Sequence, residues 1–132
     1  MSATNRFATL AATVAVALTV AAALVTAAAP AARADSFRQV TDRSEFLDIV
    51  QGRTLKYPGV SLQVTPGGAI QGKGLGIDVT GEWRWQGNYF CRDLYWGDRD
   101  LGPNCQAVLA NGRTLRFVAD QGQGRSADFR LR

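Results

Sequence analysis

Apolar residues recur with two different periods along this chain. Around residue 42, Asp42-Arg43-Ser44-Glu45 is followed by Phe46, Leu47, Ile49 and Val50, with Gly52 just beyond. An Asp with Glu three residues later has the spacing of a capping box. The apolar residues after it fall on one face of a helix, so a short N-terminal helix is predicted over about 42–50, ended by Gly52. A helix that short is marginal alone and must lie on something apolar.

Beyond Gly52 the period changes to two. Val60, Leu62 and Val64 alternate with Ser61, Gln63 and Thr65, the pattern of a half-buried strand, and Pro66-Gly67-Gly68 turns the chain before Ala69-Ile70. The run Gly72-Lys73-Gly74-Leu75-Gly76 has the composition of a phosphate loop but neither of the spacings that bind phosphate, and no helix pattern follows it. It reads as a bent strand or a flexible loop.

The C-terminal part permits registers to be inferred. Segments 79–86 and 89–96 flank Gly87-Asn88, a two-residue hairpin signal, which sets Trp85 opposite Phe90 and Trp83 opposite Arg92. Asn111-Gly112 is a second such turn, and it predicts Val108 opposite Leu115 and Gln106 opposite Phe117. A third turn over 120–124 sets Leu115 opposite Phe129 and Phe117 opposite Ala127. If Cys91 sits opposite Cys105 across a 97–103 loop, Phe90 faces Gln106. All three turns then agree in placing Trp83, Trp85, Phe90, Leu94, Val108, Leu115, Phe117, Phe129 and Leu131 on one side. A slip of one residue would move each set to the opposite face, so the agreement supports the register. Glu82, Arg84, Asp93, Arg116, Asp128 and both cysteines fall on the other, solvated side. The predicted fold class is therefore mainly β: an antiparallel meander of seven to eight strands forming a small barrel or half-barrel, with the helix over an opening or an edge. A β-sandwich is the rival, and its crossovers are usually longer than the connections found here.

Composition changes the picture mainly through residues 1–34. Arg6 precedes an Ala/Val/Leu run over 7–29, and Pro30 and Ala32-Arg33-Ala34 follow. This is the layout of a secretory signal peptide with an A-x-A cleavage site, predicting a mature domain over 35–132 in the periplasm or outside the cell. The alternative is retention of the apolar run as a membrane anchor. Removing 34 of the 132 residues leaves 98, and with Arg6 and Arg33 gone the formal charge falls from +4 to +2. A domain near +2 has no electrostatic footprint for nucleic acid. One small domain implies a monomer that meets the membrane only during export. In an exported domain of this size an even cysteine count reads as a disulfide, here Cys91 with Cys105. The chain contains no histidine, which removes the usual general base and the commonest metal ligand. No cofactor motif, metal site or catalytic residue is expected.

The runs Gly81-Glu82-Trp83-Arg84-Trp85, Tyr89-Phe90-Cys91-Arg92, Asn104-Cys105-Gln106 and Leu115-Arg116-Phe117 resemble a group of small exported alphaproteobacterial proteins of no established role. The resemblance covers most of 37–132. Many of those proteins carry the name dihydrodipicolinate reductase, yet the βα nucleotide-binding fingerprint that such an enzyme needs does not occur here. The resemblance implies export and carries over no catalytic residues.

Two polar residues interrupt the apolar face. Arg92 opposite Trp83 and Gln106 opposite Phe90 could make, with Trp83 and Trp85, a ligand site of aromatic walls, one fixed positive charge and one amide, with the guanidinium over the indole. The plainer reading puts Arg92 at the rim and bonds Gln106 to a neighbouring backbone. A second candidate is a partner-contact loop containing Tyr95, Trp96, Arg99 and Leu101, for example against an envelope hydrolase, with Trp96 and Leu101 folding back over the barrel end as the alternative. Glu82 with Asp93, and Asp98 with Asp100, are carboxylate pairs that read more simply as surface ion pairs. The expected role is that of an exported, non-enzymatic domain binding a small ligand, or alternatively a protein.

Overall fold

The structure, a computed structural model, describes residues 27–29 and 36–132. All nine strands of the described residues belong to the unit Arg33–Arg132. Apart from residues 27–29, the predicted signal peptide lies outside the described residues, as does its cleavage site at Ala34.

The described part of that unit begins with strand β1 (Arg38–Val40) and helix α1 (Arg43–Val50). Eight strands follow: β2 (Leu55–Tyr57), β3 (Val60–Val64), β4 (Ala69–Gly74), β5 (Ile77–Gln86), β6 (Tyr89–Trp96), β7 (Arg99–Asn111), β8 (Thr114–Val118) and β9 (Ser126–Leu131). Each pairs antiparallel with the next, and β9 returns to β2 with Leu131 opposite Leu55, so the meander closes into an eight-stranded barrel. Backbone bonds between Thr54 and Arg132, 2.8 and 3.0 Å, extend that seam by one pair. β1 is an extra strand on β7, with Val40 opposite Val108. Tightly wound, the barrel has an interior just wide enough to be filled by side chains or to hold one small ligand.

Most of the inferred registers hold: Trp85 faces Phe90, Trp83 faces Arg92, Cys91 faces Cys105, Phe90 faces Gln106 and Leu115 faces Phe129. Three expectations need correction. The turn between β7 and β8 is Gly112-Arg113, with Asn111 paired to Thr114, so Val108 faces Phe117 and Ala110 faces Leu115. The slip is by two residues, which preserves the inward face. The 97–103 loop is mostly strand, since Trp96 pairs Arg99 and Tyr95 pairs Asp100 before a bulge leads to Asp93 opposite Pro103. Asp42 caps α1 through Oδ1, which accepts from the Ser44 amide at 3.0 Å, but Glu45 pairs with Arg38 instead of reaching back to close a capping box.

The disulfide joins Cys91 and Cys105, S–S 2.05 Å, on the outer face. That face is not uniformly solvated, because Cys91 and Ala107 are both buried. Gly122 of the β8–β9 turn lies over Ala107. This turn begins with a short helix, α2 (Ala119–Gly122), in which Asp120 and Gln121 adopt left-handed backbone with φ 55° and 54°. Asn104 clasps it from β7: its Nδ2 donates to Asp120 Oδ1 at 2.8 Å, and the Asp120 amide donates to its Oδ1 at 3.0 Å.

Candidate functional site

One half of the barrel interior is solid. Phe46 of α1 is completely buried, with its ring 5.4 Å from Trp83, 5.3 Å from Trp85 and 5.1 Å from Phe90. Both indoles find acceptors outside the strands: Trp83 Nε1 donates to the Thr65 carbonyl at 2.8 Å and Trp85 Nε1 to the Thr41 carbonyl at 3.3 Å. Arg43 lies over the Trp83 ring at 5.3 Å and donates to the Pro66 carbonyl at 3.0 Å. Helix α1 is thus a stopper, and the aromatic residues beneath it are its seat.

Behind that cluster, and sharing Phe90 and Phe117 with it, lies a cavity of about 190 Å³, partly open to solvent. No residue of α1 lines it. Leu55, Leu62, Val64 and Ile70 supply one wall from β2 to β4, Leu94 comes from β6, and Ala127 and Phe129 come from β9. Two inward positions beside this wall carry no side chain. Gly72 faces Leu62, and a Cβ on it would fall 2.0 Å from the Ser61 carbonyl oxygen. Gly81 sits between Ile70 and Leu94, and a Cβ there would fall 2.2 Å from the Asp93 oxygen. These close approaches bend the strands enough to close the barrel, and neither position contributes a side chain to the interior.

The cavity lining has nine apolar residues and two polar ones, Arg92 and Gln106. Arg92 Nη1 donates to the Gly102 carbonyl at 2.7 Å. A guanidinium carries five donors in a planar fork, so this bond leaves most of its capacity free. Among the described residues no carboxylate forms an ion pair with it, and Gln106 makes no side-chain hydrogen bond. Burial lowers the Arg92 pKa from its ordinary value, opposed by the nearby negative charge of Asp93. It remains a cation, since arginine does not lose its proton in proteins. The site therefore offers one fixed positive charge and one amide in an apolar chamber.

The four residues proposed for a ligand site separate into two pairs. Arg92 and Gln106 line the cavity, whereas Trp83 and Trp85 belong to the seat of α1 and do not. The cation over Trp83 is Arg43, not Arg92. The four contact-loop residues separate as well. Tyr95 and Leu101 are exposed, at 42% and 45%, and Arg99 is exposed. Trp96 turns in over Gly74, donating from Nε1 to its carbonyl at 2.8 Å. The carboxylate pairs are surface features: Asp93 pairs with Arg84 at 3.7 Å, and Asp100 accepts from the Gly102 amide at 2.7 Å. The wall from β2 to β4 was missed as part of a site, although its signal was present, since Gly72 continues the inward alternation set by Val60, Leu62, Val64 and Ile70. No family model, no curated protein and no solved structure matches this chain.

Proposed function

We propose that the protein is an exported, non-enzymatic barrel that binds a small ligand in its interior. The observation that carries this reading is the apolar cavity of about 190 Å³ into which Arg92 and Gln106 both project. Apolar walls with a few convergent polar groups are the usual composition of small-molecule sites, and the half-buried Arg92 guanidinium keeps donors free beyond its one bond to Gly102. A chain without histidine supports binding over catalysis. Export is supported by the layout of residues 1–34 and by the Cys91–Cys105 disulfide, a bond that persists in oxidising compartments.

The test is protein-observed NMR on the purified, isotope-labelled protein with a mixture of neutral, anionic and cationic fragments of up to about ten heavy atoms. Binding is expected to shift Leu94, Gln106 and Phe129 resonances, and to be abolished by Ala127→Phe, which fills the chamber. Absence of binding, or binding indifferent to Ala127→Phe, overturns the reading.

A second reading is supported by the exposure of Tyr95 and Leu101 on the β6–β7 hairpin, residue types found at protein interfaces. It treats that hairpin as the contact of a protein-binding module, such as an inhibitor of an envelope hydrolase. Pull-downs from periplasmic extract with wild type and with a Tyr95→Ala, Leu101→Ala variant decide it, because recovery of the same proteins by both removes its support.

A further inference from the structure

We propose that the ligand is a small monocarboxylic acid of about six to eight carbons in all, with a compact apolar body and its carboxylate held by Arg92 and Gln106; this rests on the small-ligand reading above.

Charge sets the first condition. Arg92 is the one ionisable residue lining the cavity among the described residues. A neutral guest makes no use of this charge, and an ammonium guest is repelled by it. A phosphate dianion brings one negative charge more than the single cation neutralises. A monoanion balances the site.

Geometry sets the second condition. Phe90 faces Gln106 and Arg92 faces Asn104, so Arg92 and Gln106 stand diagonally on neighbouring strands of the inner wall. Diagonal neighbours lie about 7–8 Å apart, a separation two long side chains bridge when both reach toward one small group. The planar fork of Arg92, one of its donors already spent on Gly102, can present two parallel N–H groups to the two oxygens of a carboxylate. The Gln106 amide nitrogen adds a third donor. Sulfonates and phosphates are tetrahedral and need donors from several directions, which the nine apolar lining residues do not offer.

Volume sets the third. A cavity of about 150 Å³ takes up benzene, so one of about 190 Å³ accepts a single ring or a short chain together with a carboxylate, and excludes long acyl chains.

The experiment is calorimetric titration of the purified protein at pH 7 with hexanoate and phenylacetate, each beside its primary amide as a neutral copy of nearly the same shape. The acids are expected to bind at least about tenfold more tightly than their amides, with Kd between about 10 µM and 1 mM. Arg92→Met should weaken acid binding by at least about tenfold and abolish the preference over the amide, while leaving the amide within about threefold. Arg92→Lys, which keeps the charge but loses the fork, should fall between the two. Gln106→Met is a milder cut and keeps the inference testable if Arg92→Met fails to fold; it should weaken the acid more than the amide. If amides bind as well as acids, or if either Met variant that folds keeps the full preference, the carboxylate assignment is overturned while the small-ligand reading stands. If no fragment of any charge enters the cavity, the small-ligand reading itself has failed.

Discussion

The α1 half of the barrel and the half behind it are bounded by the same strands, yet one is packed and the other hollow. Under α1, Phe46, Trp83, Trp85 and Phe90 fill the interior, and the polar atoms of both indoles are bonded to backbone carbonyls. Behind them, Gly72 and Gly81 take inward positions where the close neighbouring backbone admits no side chain, and Arg92 and Gln106 supply polar atoms that the protein leaves available. Packing is thus concentrated at one end, and the proposed ligand site lies at the other. A scaffold arranged this way can keep a partly empty interior, because the hollow half need not supply the folding energy.

The largest effect should come from breaking the packed half. Phe46→Ala removes the ring on which the aromatic cluster converges and should lower unfolding free energy by about 3–5 kcal/mol in urea denaturation. By contrast, Ala127→Leu adds bulk to the hollow half and should change stability by less than about 1 kcal/mol, since there is room for it. Equal losses from the two substitutions would show that the halves are packed alike.

Next in size is the outer staple. The disulfide closes a loop with a sequence separation of 14, and Cys91→Ser with Cys105→Ser should cost about 3 kcal/mol in the chain-entropy description. Because it lies on the outer wall, its loss should leave ligand affinity in the folded protein nearly unchanged. A large loss of affinity would mean that the staple shapes the cavity.

Asn104→Ala acts on the end away from α1. It removes both bonds to Asp120 and so the clasp on two left-handed residues, and about 1–2 kcal/mol should be lost. Hydrogen exchange should quicken over residues 119–125 while α1 stays protected. Uniform acceleration would show that the two ends unfold as one.

The smallest effect is electrostatic and remote from both interiors. Arg116 grips Asp128 through bonds of 2.7 and 2.9 Å, chiefly a hydrogen-bond effect, which holds the Asp128 carboxyl below the usual carboxylate range. A carboxyl with a depressed folded pKa contributes stability that is complete above its unfolded pKa, near 4, and is lost as pH falls through the folded value. The pair is exposed, so the contribution is small. Asp128→Asn should lower the neutral plateau slightly while leaving stability at the acid extreme unchanged, so that the acid limb below about pH 4 becomes flatter.

How much of the fold and the cavity was legible in the sequence depends on which constraints are local. Hairpin turns and period-two alternation are local, and they suffice to locate β3 to β9, the inward face and the cysteine pair. The turn after Asn111 slipped by two residues because Asn-Gly can sit at more than one place in a hairpin, and a slip of two leaves every side chain on its own face. β1 and β2 have three residues each, too short for a periodic signal, and barrel closure depended on β2 meeting β9. Arg92 and Gln106 could be picked out because polar residues on an apolar face stand out. Trp83 and Trp85 were assigned to their company because strand pairing shows which side a residue faces but not how far along the barrel a helix reaches to cover it. That reach decided the matter, since Phe46 took the indoles.

The seam between β2 and β9 has a consequence for how the protein comes into being. It joins Leu55 to Leu131, nearly the two extremes of the patterned chain. Until Leu131 is available, β2 has no partner on that side, and the growing meander has an open margin of unpaired backbone at each end. Such a margin invites pairing with other chains, and a contact this distant in sequence is slow to form. No portion of the chain synthesised early can therefore complete the barrel. A chain carried across a membrane in extended form, and released only when its last strand has followed, would arrive with both margins present together.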